Sequence, residues 1–196
     1  MPLTGSPPAG HRLADSRRRA PALPEQSEPW QRDDRPATTD RTDETELWLK
    51  AHGWYPGRDV GDALAGHVAE RVRDFRDQGK ELAPTRTAEA FLRTYGGLEL
   101  PLADRVRLIT EPDGGHVGIA EDVAKLAAHL GQRLFPVAYE TYEGSVHLLD
   151  ETDRFFLLHP SGTSYLGTGS REAFANRRRH ALVDAWRLPA RRPGTP

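Results

Sequence analysis

The 196-residue chain has no cysteine and a single methionine. Without cysteine there is no disulfide staple, no thiolate zinc knuckle and no thiol nucleophile. No run approaches the ~20 apolar residues that a membrane span requires. The N-terminus lacks an apolar stretch that would serve as a secretory signal. There is no basic surplus either: 27 Lys and Arg stand against 29 Asp and Glu, a net charge of -2. Coating nucleic acid needs excess cations to displace counterions, so that class is disfavoured. These absences lead us to expect a soluble, cytoplasmic protein that engages neither membrane nor nucleic acid.

What is present divides the chain. Residues 1–43 hold 7 of the 16 prolines, no Val, Ile, Phe or Tyr, and Trp30 as their one aromatic. Such a segment buries too little apolar surface to offset the entropy of ordering, so we expect a disordered tail over 1–43. A frayed C-terminus is expected over 189–196. The body between them, residues 44–188, is long enough for one core.

The body opens with a helix. Asp43 and Glu46 have capping-box spacing, Leu47, Trp48 and Ala51 supply an apolar face, and Gly53 ends it. Trp54-Tyr55-Pro56-Gly57-Arg58 is a turn. A second helix is expected from Asp59 to Gln78, with Val60, Leu64, Val68, Val72 and Phe75 as its stripe and Arg71 facing water. A third starts at Pro84-Thr85, turns Ala88, Phe91, Leu92 and Tyr95 inward, and stops at Gly96-Gly97. From Leu98 the period becomes two, with strands around Leu98–Leu100 and Val106–Thr110. A short helix from Val123 to Leu130 follows. Strands are then expected at Leu134–Tyr139, Ser145–Leu149, Phe155–His159 and Ser164–Leu166, and a last helix over Ser170–Trp186 with Phe174, Leu182 and Trp186 as its apolar contacts. The short connections suit antiparallel hairpins. The fold class is α+β: N-terminal helices on a mostly antiparallel sheet with a closing C-terminal helix.

Catalytic patterns are missing. Among the eight histidines no two share the i, i+4 spacing of a zinc helix. Ser145, Ser161 and Ser164 lack a nucleophile-elbow sequence. The Asp113-Gly114-Gly115 and Gly162–Gly169 stretches read as turns and not as phosphate loops. We expect no enzyme activity, no metal and no cofactor. One charge asymmetry stands out: the hairpins carry Glu140, Glu143, Asp150, Glu151 and Asp153 against a single Arg154, with Tyr139 and Tyr142 beside them. Two readings are open. The acids and aromatics form a binding face for a basic protein surface, or the acids keep strand edges from pairing.

Three ordered motifs point further. Leu49-Lys50-Ala51-His52-Gly53-Trp54-Tyr55-Pro56-Gly57-Arg58, then Ala88-Glu89-Ala90-Phe91-Leu92-Arg93-Thr94-Tyr95-Gly96-Gly97-Leu98, then Leu130-Gly131-Gln132-Arg133-Leu134-Phe135-Pro136-Val137 resemble the SUKH superfamily of bacterial immunity proteins, in its third subfamily. The resemblance spans roughly 44–186. It implies a non-catalytic antidote that binds and neutralises a cognate toxin domain of the nuclease or nucleic-acid deaminase class, delivered by a neighbouring cell in a polymorphic toxin system. A regulatory or scaffold protein-binding module of the same fold is the alternative. Gly53, Trp54, Pro56, Gly57, Arg58, Phe91, Gly96, Gly97 and Leu98 then serve the scaffold, and Tyr139, Glu140, Tyr142, Glu143, Asp150, Glu151 and Asp153 are the toxin-binding candidates.

Overall fold

The structure is a computed structural model that describes residues 39–190, with side chains from Glu44 onward. Of the tail expected over 1–43, residues 1–38 lie outside the described residues, as do the last residues, 191–196. Five helices surround one sheet: α1 (Thr39–Ala51), α2 (Ala65–Asp77), α3 (Arg86–Tyr95), α4 (Ala120–Leu130) and α5 (Ser170–Arg178). The strands are β1 (Glu99–Ala103), β2 (Val106–Ile109), β3 (Leu134–Glu140), β4 (Val146–Asp150), β5 (Arg154–His159), β6 (Gly162–Thr168) and β7 (Val183–Asp184). They run in sequence order, every neighbour antiparallel. The class is α+β, as the short connections require. Among the described residues no helix is long and apolar enough to cross a membrane.

Every position of β4 is buried, and so are all of β3 but Tyr139. Continuous burial means that both faces of the sheet are covered. One face packs Leu100, Leu108, Phe135, Leu149, Phe155 and Leu166 against Leu49 of α1, Phe91 and Leu92 of α3 and Phe174 of α5. The other packs Leu134, Val146, Leu148 and Phe156 against Val123, Leu126 and Leu130 of α4, with Phe75 of α2 and Ala185 closing it. Trp54, Phe91, Leu92, Leu134 and Phe174 are all buried. Pro136 sits in β3 next to a break in register between Pro136 and Ala138, the kind of irregularity that lets a residue without an N–H occupy a central strand.

The motif residues make contacts within the fold. Arg58 donates from Nη1 to the Thr94 carbonyl at 3.0 Å and from Nη2 to the Gly96 carbonyl at 2.7 Å, satisfying orphan acceptors at the end of α3. Trp54 stacks on Tyr95 with ring centroids 6.1 Å apart. Gly53 and Gly97 have φ of 93° and 72°, conformations that only glycine adopts without strain. Thr85 caps α3, its side chain accepting from the Ala88 N–H.

Four expectations need correction. Helix α1 begins at Thr39, inside the segment assigned to the tail, and Leu47 points outward at 67% exposure while Thr45 and Leu49 point in. Helix α2 begins at Ala65 and not Asp59, because the Asp59 carboxylate accepts from the Gly61 N–H and Gly61 turns to φ 58°, an Asx turn that delays the helix. Arg71 is buried, not solvated: its Nε donates to the Pro112 carbonyl at 2.6 Å and its Nη2 to the Gly114 carbonyl at 2.5 Å. The final helix stops at Arg178. His180 takes φ 55°, and Val183–Asp184 pair with Tyr165 and Ser164, so β6 gains backbone partners that a longer helix would deny it. Leu182 and Trp186, expected as contacts of that helix, are exposed at 41% and 46%.

Candidate binding surface

In an antiparallel meander successive turns alternate between the two ends of the sheet. The β1–β2, β3–β4 and β5–β6 turns therefore share one end, and the β4–β5 turn lies at the other. A backbone bond confirms the first grouping: the Thr141 N–H donates to the Arg107 carbonyl at 3.0 Å. The seven candidates split accordingly. Tyr139, Glu140, Tyr142 and Glu143 lie toward the first end; Asp150, Glu151 and Asp153 lie at the second. The five residues of β4 separate the groups by roughly 15 Å at strand spacing. They do not form one cluster.

Burial divides them again. Glu140 is 3% exposed. Arg177 donates to it from Nε and Nη2 at 2.5 and 2.6 Å, and His147 Nε2 donates at 2.7 Å. Burial pushes this carboxyl up, but the bonds from Arg177 and His147 more than reverse that and hold it at about 2. Asp150 is fully buried and organises the β4–β5 turn. Its Oδ1 accepts from the N–H groups of Thr152 and Arg154 at 2.8 and 3.0 Å, and its Oδ2 from Arg154 Nε at 2.7 Å. Neither carboxylate is on the surface. Replacing Asp150 by Asn keeps the shape but loses the charge opposite Arg154. We expect a loss of about 1.5–3 kcal/mol in chemical denaturation, the range of a hydrogen bond to a charged group.

Glu151 is tied by Arg133 at 2.6 Å, which holds its carboxyl below the usual range. Asp153 occupies the turn with φ 65° and is exposed. Tyr139 is half-buried, and burial with the nearby Glu111 and Asp113 carboxylates pushes its phenol up. Tyr142 is 70% exposed.

The first end of the sheet carries a groove of about 590 Å³ between the β3–β4 turn, the β5–β6 turn and the C-terminal segment. Glu140 and Arg177 form its floor, Glu143 and His159 one wall, and Leu182, Asp184 and Trp186 the other. Val183 beside that wall is 52% exposed. Within the groove the Ser161 N–H donates to His159 Nδ1 at 3.0 Å, so the ring's other nitrogen carries the hydrogen and donates to the Glu143 carboxylate. Ser161 Oγ lies 2.6 Å from the same Nδ1. Serine, histidine and glutamate thus meet in the order of a hydrolase triad, which the sequence did not announce. The Ser161 N–H is itself spent on the ring and offers nothing to an oxyanion. The arrangement closes a turn.

A second groove, of about 710 Å³, runs between α2 and α3 over Leu64, Val68, Val72 and Leu92, with Arg73 and Arg93 at its rim. It is the larger of the two. The groove at the sheet end is the one that gathers the candidate acids Glu140 and Glu143 with an exposed aromatic, Trp186. Sequence reasoning missed Trp186, Leu182 and His159. The early end of α5 was the signal for the first two, and His180-Ala181 followed by β-branched Val183 was its only local trace.

A family model described as SUKH-3 immunity protein matches residues 41–176. No curated protein and no solved structure matches the chain.

Proposed function

The chain belongs to the SUKH-3 immunity protein family, and from that premise we propose that it is a cytoplasmic antidote to a toxin domain of the nuclease or nucleic-acid deaminase class. Membership in the family implies an immunity function exerted on a protein toxin. The finer reading is that neutralisation is by occupation and not by chemistry, and that the sheet-end groove is the contact face. The observation that supports the contact face is that exposed Leu182 and Trp186 line that groove, with exposed Val183 between them in the chain and exposed Tyr142 in the β3–β4 turn at the same end of the sheet. Exposed aromatics over a concave surface are the usual anchors of a protein interface. The Leu182–Trp186 wall lies beyond residues 41–176.

The test is co-expression with the C-terminal domain of a large secreted toxin whose gene neighbours this one. Growth is restored and the two chains co-purify. Ser161→Ala protects as well as the wild type, because no nucleophile is involved. Loss of protection in Ser161→Ala, with the complex still formed, would turn the reading to catalysis. Protection that disappears on deleting residues 1–38 would turn it to a tail-docked binding module.

A further inference from the structure

The Asp113-Gly114-Gly115 turn has no role in the groove, yet it is built with care. A Cβ at Gly114 would collide with the Tyr139 ring, and one at Gly115 would press on the Gly144 carbonyl and Tyr139 Cβ. Glycine is therefore required at both positions. From the other side Arg71 holds the carbonyls of Pro112 and Gly114, the two residues that flank Asp113. The turn is clamped between α2 and β3, and the clamp fixes Asp113.

One turn of helix before Arg71, His67 meets it. His67 Nδ1 lies 2.9 and 3.0 Å from the two carboxylate oxygens of Asp113. Glu111, two residues upstream, completes the group: one ligating atom from each of His67, Glu111 and Asp113 lies within 4.8 Å of the other two. All three are partly open to solvent. Glu111 and Asp113 also lie near Tyr139, whose phenol is pushed up first by burial and then by these carboxylates. The ligands come from segments 44 or more residues apart, so no spacing motif betrays them.

We propose that His67, Glu111 and Asp113 bind a divalent transition metal ion of the zinc type. A mixed imidazole and carboxylate set suits such an ion, whereas Ca²⁺ and Mg²⁺ prefer oxygen ligands alone. Donors around tetrahedral zinc stand about 3.3 Å apart, given bonds near 2.0–2.1 Å. The His67–Asp113 pair is already close to that spacing, and a rotamer adjustment of Glu111 completes three protein ligands with water as the fourth. The Arg71 guanidinium beside Asp113 repels a cation and tempers the affinity. The ion would bridge α2 to the turn that supports Tyr139 and, through the bond from the His116 N–H to the Gly144 carbonyl, the β3–β4 turn of the groove.

The experiment uses the full chain without a histidine tag. Zn²⁺ is titrated against a chromophoric chelator, Co²⁺ is followed by its visible d–d absorption, and melting is recorded with and without Zn²⁺. The wild type binds one ion per chain, gives the tetrahedral cobalt spectrum and melts higher with zinc. Asp113→Asn, Glu111→Gln and His67→Gln each weaken binding by about tenfold or more and abolish the cobalt bands, while their metal-free melting shows the fold intact. His67→Gln, at a partly exposed helix position, keeps the test decisive if a turn variant misfolds. No cobalt spectrum and no zinc-dependent melting in the wild type would overturn the proposal. So would zinc binding that survives unchanged in His67→Gln and Asp113→Asn.

Discussion

Glu140→Gln lowers the stability of this protein by about 3–5 kcal/mol at neutral pH, the usual cost of breaking a buried ion pair from one side. The substitution leaves the Arg177 guanidinium, 11% exposed, facing an amide that cannot neutralise it. For a chain of this length each kcal/mol is worth about 2–4 °C of melting temperature, so the midpoint falls by roughly 6–20 °C. The pH dependence has a definite sign. The folded carboxyl titrates at about 2, below its ordinary value of 4.5. A depressed carboxyl contributes stability that is fully present above the unfolded value and is lost as pH falls through the folded one. The gap between wild type and Glu140→Gln is therefore constant above about pH 5 and closes between 4.5 and about 2. Removing both charges relieves the unpaired guanidinium. Glu140→Leu combined with Arg177→Met is expected to recover part of the loss, and a double-mutant cycle measures that coupling. A Glu140→Gln protein that melts like the wild type at pH 7 contradicts the assignment.

The second large effect concerns the partner. Tyr142→Ala and Trp186→Ala each weaken the complex with the cognate toxin domain by about 30-fold or more, the size of an aromatic hot spot worth 2 kcal/mol. Tyr142 is well exposed and is expected to leave folding within about 0.5 kcal/mol of wild type. Trp186 packs its ring 5.0 Å from that of His129, so its own melting is measured beside the binding. The two ends of the sheet supply an internal control. Glu143→Lys with Asp184→Lys reverses acids of the groove and slows association, most strongly at low salt. Glu151→Lys with Asp153→Lys reverses acids at the opposite end and leaves association unchanged. If the second pair slows binding and the first does not, the contact face is the β4–β5 end. If neither the aromatics nor either pair matters, the α2–α3 groove is the next candidate face. Reversing buried Glu140 or Asp150 would disturb folding, so neither reversal locates the contact face.

Much of the fold was legible because the relevant forces are local. Ala88, Phe91, Leu92 and Tyr95 recur at helical spacing, and all four are buried on α3. Gly131 ends α4 in a left-handed conformation, as a glycine after a helical stripe does. The two-to-five-residue links after Glu140, Asp150 and His159 leave no room for a crossover, so antiparallel pairing followed without further information. Asp150 was legible in principle too: Asp150-Glu151-Thr152 carries the Asx-turn signal that its buried carboxylate satisfies.

The candidate site was not legible to the same degree. Glu140 and Glu143 are alike in sequence and three residues apart, yet one is enclosed and the other 55% exposed. What separates them is a guanidinium arriving from Arg177, 37 residues away. No window along the chain contains that pairing. Helix periods, glycine stops and short links are set by interactions within a few residues, so the sequence by itself determined the elements, their antiparallel order and the family scaffold. Which carboxylates are desolvated, which end of the sheet each turn occupies, where α5 gives way to β7, and that His67 meets Asp113 depend on contacts between segments tens of residues apart. Only the tertiary structure decided those, because the free energy of a buried charge is fixed by what surrounds it in space.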